Sequence, residues 1–119
     1  MFSTGMNRIE FEQIIMEAVE TLPESLQSRI ENVTFEISFS TQREETHGLY
    51  GLYEGVPLGD RGIGYNMALP DRITLFQDTL ERDFPSREEM IRGIRETVLH
   101  ELGHYFGLDD EQLDDLGIG

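Results

Sequence analysis

The 119-residue chain has no cysteine, and its nine basic residues are all arginine. Without cysteine there are no disulfides and no thiolate metal ligands, and a cytoplasmic setting is the default expectation. Without lysine there is no phosphate-gripping ammonium, and the glycine spacing between residues 48 and 64 does not match a phosphate-binding loop. No apolar run is long enough to span a membrane. The first six residues lack the basic region and apolar block of a signal peptide. Positive charge is scarce: 24 acidic residues leave a formal net charge of −15. Such a surface repels phosphate backbones and anionic bilayers, so neither nucleic acid nor membrane is an expected partner.

The length fits one compact domain over residues 1–119. Phe11, Ile14, Ile15, Ala18, Val19 and Leu22 recur at helical spacing and predict a first helix ending near Thr21, before Pro23. Pro23 opens a short second helix over residues 23–30. Residues 33–39 alternate apolar and polar, which predicts a strand with Val33, Phe35, Ile37 and Phe39 inward. A polar connection leads to His47, read as a solvated loop histidine. A short strand is expected over residues 49–53, then a glycine-rich loop to Gly64. Residues 69–76 read as a turn and a strand, and residues 77–84 as a polar connection.

Histidine is also rare, with three in the chain. Two of them stand in the stretch His100-Glu101-Leu102-Gly103-His104. Residues four apart on a helix lie on one face, so both imidazoles can approach one ion. Glu101 sits about 100° further round the helix, within reach of a water but not bound to be a ligand. Imidazoles suit Zn²⁺, and a catalytic zinc site usually has three protein ligands with one open position. Gly107 can stop the helix in a left-handed turn, and Asp110 then offers the third ligand. Ser86-Arg87-Glu88-Glu89 is a capping box that opens the helix, expected over residues 87–106. Ile91, Ile94, Val98, Leu102 and Tyr105 form its apolar stripe, with the histidines on roughly the opposite side. A short last helix begins at Asp110, which doubles as its N-cap.

His-Glu-x-x-His-x-x-Gly-x-x-Asp resembles the long metzincin signature, with Asp110 where those proteins carry a third histidine. Together with residues 53–58 and 69–73 it is similar to the small bacterial zincin-like metallopeptidases. The resemblance covers nearly the whole chain. It implies a minimal α+β zincin: a small mixed sheet packed with an N-terminal helix and a long active-site helix, then a short C-terminal helix. It further implies Zn²⁺ on His100, His104 and Asp110, with Glu101 as the base. Nine residues follow Asp110 and none is Met, so the methionine turn and second subdomain of larger metzincins are not expected. The reading is a zinc-dependent peptidase acting on a peptide or protein, aligned by strand addition at a sheet edge, residues 72–76. Tyr50, Tyr53, Tyr65 and Tyr105 are candidates for stabilising the oxyanion. Two alternatives stand beside it: a zinc-binding module without turnover, and a metal-dependent nuclease, against which the acidity speaks.

Overall fold

Asn7 starts the first helix, its side chain accepting the Glu10 N–H, and α1 runs Arg8–Glu20 with Phe11, Ile14, Ile15 and Ala18 buried. The computed structural model describes residues 6–39, 48–62, 64–65 and 69–115. After Pro23, α2 spans Glu24–Gln27. It is shorter than expected because the hydrogen bonds from Arg29 and Ile30 tighten to three-residue spacing. Asn32, at φ 56°, turns the chain into β1, Val33–Ser38. Asparagine tolerates that left-handed conformation better than most residues.

Among the described residues, three strands form a mixed sheet in the order β1-β3-β2, where β2 is Gly51–Glu54 and β3 is Asp71–Phe76. β1 pairs parallel with β3, and β2 antiparallel. The expected free edge at residues 72–76 is therefore corrected: β3 is the central strand, and among the described residues the edges are β1 and β2. Burial explains the placement, since Asp71, Ile73, Leu75 and Phe76 are all buried. Val33, Phe35 and Ile37 pack against the core from β1, but Phe39 is 72% exposed. It lies past Ser38, the last residue in register with β3, so strand alternation no longer directs it.

Residues 77–84 were expected as a connection; instead Gln77–Asp83 forms α3, burying Thr79 and Leu80. So few inward residues leave no periodic trace in the sequence. The long helix α4 covers Arg87–Tyr105, with Ser86 accepting the Glu89 N–H, and α5 follows at Asp110–Asp115. α4 lies on one face of the sheet and α1 packs against α4, so that Phe11, Ile14 and Ile15 share a core with Ile73, Leu75, Met90, Ile94, Val98 and Leu102, and Tyr105 is buried beside it. Each such side chain contributes about 1.5–3 kcal/mol of burial. That anchorage lets the other face of α4 stay partly open. The opposite face of the sheet is polar, with Arg72 between Glu36 and Glu54. The architecture is α+β with a small mixed sheet and a long helix. Among the described residues, no helix is long and apolar enough to cross a membrane.

Candidate metal centre

The end of α4 builds the site through its backbone. Phe106 is the last helical cap, and Gly107 turns left-handed at φ 90°. The Gly107 N–H donates to the His104 carbonyl at 2.9 Å, and the Leu108 N–H to the Gly103 carbonyl at 2.9 Å. This pair of bonds is the Schellman termination. It directs the Leu108 carbonyl onto His104 Nδ1, at 3.0 Å. A carbonyl can only accept, so the contact places the proton on Nδ1 and leaves Nε2 with its lone pair free.

Asp109, not Asp110, caps α5. Its carboxylate accepts the Gln112 N–H at 2.8 Å, and the Gln112 side chain accepts the Asp109 N–H at 2.8 Å. The expected N-cap role of Asp110 is thus corrected. As the first helical residue it has its carboxylate free to point at the histidines.

His100 Nε2 and His104 Nε2 lie 3.2 Å apart. Asp110 Oδ1 is 3.4 Å from the first and 3.3 Å from the second. Donors bound at about 2.0–2.1 Å to one tetrahedral ion stand about 3.3 Å from each other. The three atoms have that spacing, and His104 Nε2 and Asp110 Oδ1 are two acceptors facing each other, an arrangement that suits a cation between them. The donor atoms of His100, Glu101 and His104 also lie within 4.8 Å of one another. The side chains present therefore fit a zinc-sized ion.

Glu101 is 8% exposed. Its Oε1 accepts the main-chain N–H of Tyr53 at 2.8 Å, while Oε2 faces His100 Nε2 at 3.9 Å. Burial pushes its carboxyl above the ordinary range, against the opposing pull of the two histidines and the Tyr53 amide. A carboxylate so raised is better matched to taking a proton near neutrality.

β2 lies close to α4 because Gly51 has no side chain: a Cβ there would meet Thr97 Cγ2 at 2.6 Å. Gly93 likewise admits the Phe84 ring, which a Cβ would meet at 2.7 Å. The cleft opens on both sides of the histidines. A cavity of about 350 Å³ is lined by Tyr50, Gly51, Phe84, Gly93, Thr97, His100 and Glu101. One of about 660 Å³ lies among Tyr53, Pro57, Asp60, His104, Asp109 and Asp110. A wider hollow of about 910 Å³, bordered by Thr34, Glu36, Tyr65 and Arg72, has no histidine among the described residues of its wall.

His47 lies outside the described residues. The tyrosine hydroxyls point to other partners. Tyr53 donates to Asp71 at 2.6 Å, Tyr50 to Asp83 at 2.7 Å, and Tyr105 to the Arg29 carbonyl at 2.8 Å. The Tyr65 hydroxyl is 3.5 Å from the Asn32 side-chain amide. Burial, then the Asp71 hydrogen bond, raise the Tyr53 hydroxyl above its ordinary value. The sequence reading missed the Tyr53 main-chain contact with Glu101 and the buried Asp71 behind it. One signal was available: Asp71 shares its strand face with Ile73 and Leu75, and an inward charge needs a partner. That partner is Arg61, at 2.7 Å.

Compared with known families, residues 23–119 match the model of a family described as zincin-like metallopeptidase. No curated protein matches the chain.

Proposed function

We propose that this chain, which belongs to the zincin-like metallopeptidase family, is a zinc-dependent hydrolase of peptide bonds. The observation that carries the reading is the near-equal spacing of His100 Nε2, His104 Nε2 and Asp110 Oδ1, at 3.2–3.4 Å, beside a buried carboxylate. Those three residues would hold the ion. When bound, zinc supplies a Lewis acid that acidifies water and polarises a carbonyl. Glu101 would take the water's proton at Oε2, the oxygen not held by the strand, and deliver it to the departing amine nitrogen. Glu101 is not the better third ligand, because Oε1 is already engaged by Tyr53.

The substrate would be a peptide or protein segment laid along β2, the sheet edge next to α4. The net charge of −15 supports neither a nucleic-acid nor a membrane partner. The lack of cysteine suits the cytoplasm. A zinc-binding module without turnover is the second reading, favoured by the openness of the cleft on both sides of the histidines. A panel of peptides incubated with zinc-loaded protein separates the two. Cleavage by the wild type that is lost in Glu101→Gln, with zinc retained, supports the hydrolase. Stoichiometric zinc with no cleavage of any peptide supports the module.

A further inference from the structure

Residues 53–58 and 69–73 supply neither the proposed metal ligands nor the proposed base, yet they converge on one buried carboxylate, that of Asp71. Asp71 is 2% exposed. Its Oδ2 accepts the Tyr53 hydroxyl at 2.6 Å and Arg61 Nη2 at 2.7 Å, and its Oδ1 accepts the Val56 N–H at 3.3 Å. Arg61 also donates to the Val56 carbonyl at 3.0 Å and the Glu31 carbonyl at 3.2 Å. Its guanidinium lies over the Tyr105 ring, 5.0 Å from the centroid. Gly55, at φ 151°, is backed so closely by the Asp71 carboxylate that no side chain fits there. The turn after β2 is thus pinned on both sides of Gly55 to the same group. Just before that turn, the Tyr53 N–H points not into the sheet but to Glu101.

We propose that Asp71 and Arg61 are positioning residues for Glu101. They fix Tyr53 through its hydroxyl and through the turn behind it. The N–H of Tyr53 then holds Oε1, which leaves Oε2 as the oxygen facing the histidines. The proposal rests on the reading of Glu101 as the base. It differs from a merely structural ion pair in one respect: the effect passes through a single amide.

The test uses full-length zinc-loaded protein as wild type, Tyr53→Phe, Asp71→Asn and Glu101→Ala. Zinc content, peptide hydrolysis and residue-resolved amide hydrogen exchange are measured. Tyr53→Phe keeps the Asp71–Arg61 pair, so it should fold and hold one zinc. Its kcat should fall roughly tenfold or more with KM little changed, as expected for a misplaced group acting in the transition state. Exchange at residue 53 should quicken roughly tenfold, the loss of about one net hydrogen bond. Leu52 and Glu54, which stand opposite Thr74 and Arg72, should keep their rates. Asp71→Asn should act in the same direction and more strongly; if it fails to fold, Tyr53→Phe decides. Wild-type exchange at residue 53 in Tyr53→Phe would overturn the proposal. So would a uniform rise in exchange across β2 and β3, which marks a structural role alone. If the wild type cleaves nothing, the hydrolase reading fails but the exchange result still decides. A residue-53 amide opened by both Tyr53→Phe and Glu101→Ala supports the strut, and one unmoved by either refutes it.

Discussion

At the scale of single residues, the sharpest distinction is between Asp109 and Asp110. They are adjacent and chemically identical, yet one is engaged with Gln112 and the other faces both imidazoles. Asp110→Ala is expected to weaken zinc binding by more than about a hundredfold, beyond the usual loss for a residue that only supports a ligand. Asp109→Ala should instead cost the start of α5 about 0.5–2 kcal/mol, the worth of an N-cap. Competition titration with a chelator of known affinity checks both. Zinc affinity should also drop on acidification, because a protonated ring cannot ligate. A carboxylate ligand lowers the site's net charge from +2, with three neutral histidines, to +1, which makes the bound ion a weaker Lewis acid. The histidine pair and Glu101 were legible because their relation is local, fixed by the turn of one helix. The capping role of Asp109 was not, because both aspartates precede plausible helix-starting positions and only the Gln112 side chain separates them. The link from Arg61 through Asp71 and Tyr53 to Glu101 joins residues far apart in the chain, and strand pairing, the loop after β2 and the packing of α4 on the sheet together bring them into contact.

At the scale of elements, the turn between α4 and α5 does the assembling. Gly107→Ala forces a side chain into a left-handed conformation at a cost of about 1–2 kcal/mol. Relief of that strain would move both the Leu108 carbonyl behind His104 and the Asp110 carboxylate. The expected outcome is a lower melting temperature together with weaker zinc binding, whereas a surface variant on α1 should change neither. α3 gives a pH prediction. Asp83 is held at about 2 by its Arg82 hydrogen bond and, next, by the Tyr50 hydroxyl. Its folded value lies below its unfolded one, so its contribution is complete above the ordinary carboxylate range and is lost as pH falls through about 2. Tyr50→Phe removes the second contact and should move the Asp83 titration, followed by NMR, part of the way back up. The strongly periodic helices α1 and α4 were legible for the same reason that they are stable: one stripe of each is buried. α3 was not, because its burial rests on Thr79 and Leu80. The central position of β3 was not either, since pairing order depends on the return path of the chain and leaves no local pattern.

At the scale of the whole molecule, the charge of −15 opposes compaction. Adding sodium chloride to about 0.5 M screens that repulsion, whose Debye length is about 10 Å at 0.1 M. The melting temperature of the metal-free protein is expected to rise, and a scanning fluorimetry series in salt checks it. The same charge attracts cations loosely over the surface, so zinc content alone is a weak test of the site. The donor set is the stronger one. Zinc K-edge X-ray absorption on protein loaded with one equivalent reads the ligands directly. Two imidazoles at about 2.0 Å, with oxygen donors completing the shell, are predicted. An oxygen-only shell without the outer-shell scattering of imidazole would place the zinc on surface carboxylates and contradict the assignment of His100, His104 and Asp110.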